Sequence, residues 1–213
     1  MIDYREIQDI SLDLGRQAVA YPGDPPFERR WTCRLAEGGQ ADVSHLCLGS
    51  HYGSHLEAPG HFIPGGACLD QYPVSEFIRP ARVIEAAGRP IIEAVDLAGV
   101  EPQAGQALLF KTDNSLSGLS ASGRFSPAYV SLSPGAARAC LELEAGLVGL
   151  DYLSVDALAD QDQPVHQILL GAGLLILESL NLAGVAAGDY TLICLPLNYP
   201  QAEASPVRAV LVR

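Results

Sequence analysis

The sequence predicts an α/β protein with a mixed β-sheet core and few peripheral helices, formed by one domain over residues 1–213. Three observations lead there. Short apolar runs rich in β-branched residues recur along the chain, each bounded by Gly, Pro, Asp or Asn. Only two stretches carry helix signals. No repeat, low-complexity tract or charged linker divides the 213 residues, a length ample for one buried core. A hydrophobic share of 48% with 21 Gly and 15 Pro fits such a turn-rich fold.

In chain order the expected strands are "ARVIEA" (81–86), "ALLFK" (107–111), "GLVGLD" (146–151), "LLILES" (174–179), "YTLICL" (190–195) and "VRAVLVR" (207–213). Their shortness and their flanking turn residues argue against helices. "SPGAARACLELEAG" (133–146) reads as a helix, with Ser133 as cap, Pro134 in the first turn and Gly146 as its end. A second short helix is expected from Pro164 through "VHQILLG". Strand connectivity does not follow from these signals.

The formal net charge is −12 and no basic stripe occurs, which disfavours nucleic acid and anionic membrane surfaces as partners. Cys33, Cys47, Cys68, Cys140 and Cys194 are scattered and form no C-x-x-C pair, so a disulfide framework or cysteine-rich zinc module is not expected. The opening "MIDYREIQDI" is charged and does not resemble a leader, and no apolar run reaches the roughly 18 residues of a membrane span. The expectation is a soluble, cytoplasmic protein acting on a small molecule.

The stretch "HYGSHLEAPGHF" (51–62) holds three of the five histidines and a glutamate. Gly53 and Pro59 speak against a helix. In an extended segment His51, Gly53, His55 and Glu57 share one side. A straight strand would separate His51 from His55 by about 13 Å, too far for one cation, so the segment must bend, and Gly53 is the natural hinge. After Pro59 and Gly60 the chain turns, and His61 can return over the same face. Imidazoles with a carboxylate suit Zn²⁺ or Mn²⁺, and three protein ligands leave room for water. The competing reading is a chance cluster on a polar loop.

Two distant residues extend the pattern. Glu178 lies in the apolar "GLLILESL", where a carboxylate needs a cation, strong donors or an outward orientation. His166 follows Pro164 on a segment that packs inward, as a hydrogen-bonded core histidine or a ligand. Together they can supply a second cation, with Glu57 bridging two ions about 3.5–4 Å apart. Asp24 in "PGDP" reads as a turn former. Asp151 and Asp156 are candidates either to orient histidines or to cap turns. Arg208 is a candidate for a buried carboxylate, an anionic substrate or a surface ion pair.

The run His51-Tyr52-Gly53-Ser54-His55-Leu56-Glu57-Ala58-Pro59-Gly60-His61 resembles the H-x-G-[TSA]-H-x-D-x-P-x-H signature of the cyclase family, which includes bacterial-type kynurenine formamidase and isatin hydrolase. The likeness extends over "YPGDPPF", "VGLDYLSVD", "PVHQILL", "ILESLNL" and "SPVRAVLV", nearly the whole chain. It implies a swivelling β/β/α domain, a homodimer or larger homo-oligomer, and one or two divalent ions, Zn²⁺ before Mn²⁺. His51, His55 and Glu57 would ligate the first ion, and Glu57, His166 and Glu178 the second. His61 would be the catalytic acid/base and Tyr21 a substrate-binding residue. Glu57 stands where the family has aspartate, and Tyr21 where formamidases have tryptophan.

The implied activity is hydrolysis of an amide C–N bond, as in an arylformamide such as N-formylkynurenine, by metal-activated water. The alternatives are an isatin-type lactam or cyclic-ester hydrolase and a metal-binding relative without catalysis. A serine hydrolase is disfavoured, since no G-x-S-x-G elbow is present.

Overall fold

Apolar runs buried on both faces make the centre of a parallel sheet, and three such runs form it here, joined by a fourth strand that is exposed on one face. The structure is a computed structural model that describes residues 5–213. The first four residues, which belong to the N-terminal segment read above as no leader and to the expected 1–213 domain, lie outside the described residues. In chain order the strands are β1 (Ile7–Asp9), β2 (Glu28–Cys33), β3 (Val43–Cys47), β4 (His55–Glu57), β5 (Ile78–Ala86), β6 (Ile91–Ile92), β7 (Ala107–Thr112), β8 (Ser131–Leu132), β9 (Leu147–Leu150), β10 (Leu175–Glu178), β11 (Gly188–Ile193), β12 (Ala204–Pro206) and β13 (Val210–Val212). The α-helices are α1 (Asp113–Leu116), α2 (Pro134–Glu142) and α3 (Pro164–Gly171). All six expected strands and both expected helices are present.

One nine-stranded sheet runs β1-β13-β11-β5-β7-β9-β10-β4-β12. Its centre, β5-β7-β9-β10, is parallel, and the flanking pairs are antiparallel. Successive side chains go to opposite faces. Leu109, Leu147, Leu175 and Leu177 therefore enter one core, while Leu108, Phe110, Val148, Leu150 and Ile176 enter the other. Helices α2 and α3 cover this second face with Ala136, Ala137, Cys140, Val165, Leu169 and Leu170. The first core joins Ile10, Leu192 and Leu211 from one flank to Leu56 and Ala58 from the other. Two distant edges can share a core only if the sheet curls. Backbone bonds from Asn181 to Ile10 (2.9 Å) and from Val207 to Ser54 (2.9 Å) fasten that curl.

The helix of residues 133–146 is shorter than its sequence suggests. Ser133 does cap it, accepting from the Ala136 N–H at 3.1 Å. It stops at Glu142, and Glu144 takes the left-handed conformation (φ 55°). Gly146 serves a different purpose from ending the helix. A Cβ there would sit 2.4 Å from the Gly105 carbonyl oxygen, so glycine lets β9 start against the turn that opens β7.

Gly149 meets a similar limit inside the parallel sheet, where a Cβ would lie 2.4 Å from Leu109 Cδ2 and 3.3 Å from the Leu177 carbonyl oxygen. Gly149→Ala should overpack this layer and cost about 1–3 kcal/mol of stability. Urea unfolding should show a lower midpoint with an unchanged slope.

Candidate metal centre

Strand β4 is three residues long and wholly buried between β10 and β12. Its register sets His55 opposite Glu178 and Pro206, and Glu57 opposite Ile176 and Ala204. His55 and Glu57 thus project to one side at the end of the sheet, with Glu178 beside them as the last residue of β10. His51 lies in the preceding turn. Gly53, at φ +75°, makes the bend that returns the chain, and a Cβ there would reach within 2.5 Å of Leu14 Cδ2. A single 3-10 turn, Pro59–His61, then brings His61 back over the same face. His166 enters from the first turn of α3, where Pro164 lacks the N–H that would otherwise need a partner.

The five predicted ligands converge. His51 Nδ1 lies 2.8 Å and His55 Nε2 3.2 Å from Glu57 Oε1. His166 Nε2 lies 3.2 Å from Glu57 Oε2 and 3.4 Å from Glu178 Oε1, and His55 Nε2 is 3.5 Å from Glu178 Oε2. Two triads result, His51–His55–Glu57 and Glu57–His166–Glu178, each with its donor atoms within 4.8 Å of one another. Glu57 belongs to both. His61 stands just outside, with Nε2 3.8 Å from Glu57 Oε1.

Surrounding bonds fix these side chains. The His55 Nδ1–H donates to the Gly53 carbonyl (2.8 Å), leaving Nε2 to face the carboxylates. The His166 Nδ1–H donates to Asp156 Oδ2 (2.6 Å). Asp156 itself accepts the Val165 and His166 backbone N–H groups at 2.8 and 3.0 Å, so one carboxylate caps α3 and orients its histidine. Glu178 Oε1 accepts the Val155 N–H at 2.6 Å. Asp151 has no such role. It accepts from Thr112, Asn114 and Ser115 and anchors α1.

Burial of two carboxylates side by side shapes the titration of the whole cluster. Glu57 and Glu178 are each only 2% exposed. Burial pushes the Glu57 carboxyl up, but His166 and then the bonds from His51 and His55 outweigh it and hold it well below the usual range. Glu178 is pushed up, first by burial and then by the Glu57 charge, with His166 and His55 opposing. Burial opposes protonation of His55 and His166, yet the facing carboxylates raise both. His61 goes the other way. Burial, only partly offset by Glu57, lowers it to about 4, and the neighbouring histidines add to the effect.

Glu57 Oε2 is fully buried and accepts no hydrogen bond, although His166 Nε2 is near. An orphaned buried carboxylate oxygen is costly, by about 1–3 kcal/mol or more. The donor atoms of Glu57, His166 and Glu178 lie within 4.8 Å of one another. The donor set, imidazole nitrogens and carboxylate oxygens around that atom, suits a divalent cation such as zinc or manganese. The residues fit the group.

The cluster floors a cavity of about 320 Å³ whose walls include Tyr21, Asp24, Phe62, Leu153, Ser154 and Gln163. Phe62 stacks on His166, with centroids 4.8 Å apart. Tyr21 lies on this wall. Asp24 forms a turn, its N–H donating to the Tyr21 carbonyl at 3.0 Å, and also lines the mouth. Arg208 pairs with exposed Asp9 at the surface and takes no part. Sequence reading passed over Phe62, Leu153, Ser154, Gln163 and Glu203. None sits in a chemically distinctive pattern, and only the position of Glu203 just before "SPVRAV" offers a signal.

Among the described residues, no helix is long and apolar enough to cross a membrane. Residues 8–157 match the family model described as Putative cyclase. A kynurenine formamidase of Paracidovorax citrulli is 35% identical over 212 residues, covering 97% of this chain and 96% of the relative. A solved structure described as a potential metal-dependent hydrolase with cyclase activity superposes with a TM-score of 0.82 at 26% identity, covering 97% of each chain. Isatin hydrolase A from Labrenzia aggregata shares the fold, with a TM-score of 0.82 at 22% identity, covering 97% of this chain and 93% of that one. With two His/Glu triads at the end of this curled mixed sheet, the chain belongs to the cyclase family and is a metal-dependent hydrolase.

Proposed function

We propose that the protein hydrolyses the amide C–N bond of an arylformamide, N-formylkynurenine being the representative substrate. The observation that carries this reading is the pair of triads sharing Glu57 on the floor of a cavity with an aromatic wall. The 35% identity to a kynurenine formamidase over almost the full length of both chains supports the formamide over a lactam.

His51, His55 and Glu57 would hold one divalent ion, and Glu57, His166 and Glu178 a second, with zinc favoured over manganese by the histidine-rich donor set. Such an ion, when bound, acidifies water toward neutral pH and polarises a carbonyl oxygen. The side chains provide the rest. Tyr21, Phe62 and Leu153 offer apolar surface to an aryl ring, and Asp24, Ser154 and Gln163 offer polar contacts at its edge. His61 is free of its proton at neutral pH because burial depresses it. Its Nε2, beside Glu57, can therefore take a proton from attacking water and return it to the leaving nitrogen.

Elemental analysis of protein loaded with Zn²⁺ or Mn²⁺ should give one or two ions per chain. Chelation should abolish turnover and lower the melting temperature, because the buried carboxylates lose their counter-charge. Rates on N-formylkynurenine should exceed those on isatin and on a lactone panel. A metal-loaded protein that opens isatin or lactones faster would overturn the formamidase reading.

His61→Ala should lower kcat by about 10²–10⁴-fold while the metal content stays that of the wild type. Loss of an ion together with activity would make His61 a ligand instead.

A further inference from the structure

A ligating imidazole offers one nitrogen to the ion and needs a partner for the other, which sets its tautomer and its angle. Two histidines beside Glu57 have that partner, the Gly53 carbonyl for His55 and Asp156 for His166. His51 uses Nδ1 toward Glu57, and its Nε2 lies 3.8 Å from Glu203 Oε1, within ion-pair range and longer than a hydrogen bond. Glu203 is not loose. Ser50 Oγ donates to the same carboxylate oxygen at 2.6 Å, and the Glu203 carbonyl accepts the Ala58 N–H at 2.9 Å, just beyond the end of β4. Ser50 and Glu203 are 153 positions apart, yet they meet where the β4–β12 pairing joins the turn carrying His51.

We propose that Glu203 is the positioning carboxylate of His51, holding its Nε2–H so that the Nδ1 lone pair faces the ion shared with His55 and Glu57. The assignment rests on the metal reading of the two triads and not on the identity of the substrate. A bound cation withdraws electron density from the ring and makes Nε2–H a better donor, so the pull of Glu203 strengthens on loading. Ser50 acts one step further out by fixing the carboxylate.

The test compares wild type with Glu203→Ala, Glu203→Asp and Ser50→Ala, with Asp156→Asn as the reference for a histidine-orienting carboxylate. Zinc affinity is read by competition with a chromogenic chelator, and the melting temperature is measured on metal-free protein. The His51 tautomer is read by ¹⁵N NMR of the zinc-loaded form. Glu203→Ala should weaken zinc binding by about 10–100-fold, with the metal-free melting temperature unchanged. Glu203→Asp should recover part of the loss, and Ser50→Ala should lose less than Glu203→Ala. Wild-type His51 should carry its proton on Nε2.

Unchanged zinc affinity in Glu203→Ala overturns the assignment, as does a wild-type His51 protonated on Nδ1. So does an affinity loss matched by a fall in metal-free melting temperature and not recovered by aspartate. Wild type that takes up no zinc overturns both this assignment and the metal reading. Wild type that binds zinc yet leaves formamides intact fails only the proposed substrate.

Discussion

Two carboxylates, Glu57 and Glu178, are buried side by side at the end of a β-sheet, and the rest of the site answers to that placement. Like charges a few ångströms apart repel by about 4 kcal/mol even at the moderate effective dielectric near a protein surface. Nothing apolar compensates this. The chain surrounds the pair with His51, His55 and His166, and the facing carboxylates push His55 and His166 toward their protonated forms against the opposing effect of burial. A site that favours positive charge in this way suits a cation. Cation uptake then amounts largely to an exchange of protons for a metal ion.

The fold makes that unfavourable arrangement rigid. Side-chain direction alternates along a strand, so a one-residue slip between β4 and β10 would turn His55 and Glu57 away and bring Leu56 in. The slip is blocked because Leu56, fully buried, belongs to the core on the opposite face. The ladder to β12 secures the other edge. Hydrophobic registration, worth about 1.5–3 kcal/mol for each buried aliphatic side chain, thereby sets the spacing of the polar atoms. Asp156 shows the same economy of parts. It caps α3 and aims His166 with a single side chain.

Much of this was legible in the sequence, for identifiable reasons. The central strands were readable because parallel strands buried on both faces are continuous apolar runs. Strand β4 was legible only as an extended segment with His55 and Glu57 on one side, since three residues are too few to show that it pairs inside the sheet. The β2–β3 hairpin escaped notice. Its strands are largely exposed and carry charged residues such as Glu28, Arg29 and Arg30, so burial leaves no periodic imprint. In the site, the clustered spacing of His51, His55, Glu57 and His61 was conspicuous, and the lone carboxylate of Glu178 in an apolar run posed its own question. Phe62 gave no such cue, and Glu203 gave only its place just before "SPVRAV". Their relevance is created by strand order, which brings residues 50 and 203 together and lays Phe62 on His166.

The substitution of glutamate for the family aspartate at position 57 belongs to the same logic. The carboxylate common to both triads faces imidazoles that arrive from different directions, His51 and His55 from its own segment and His166 from α3. Glu57 divides the task by oxygen, Oε1 toward the first pair and Oε2 toward His166. An added methylene lengthens the side chain and adds one rotatable bond, which would blur the placement of both oxygens in an open site. Here the freedom is removed by burial and by the two imidazole contacts on Oε1. Oε2 alone is left without a hydrogen bond. Of the two Glu57 oxygens, the one without a hydrogen-bond partner is the one that faces His166 and the second triad.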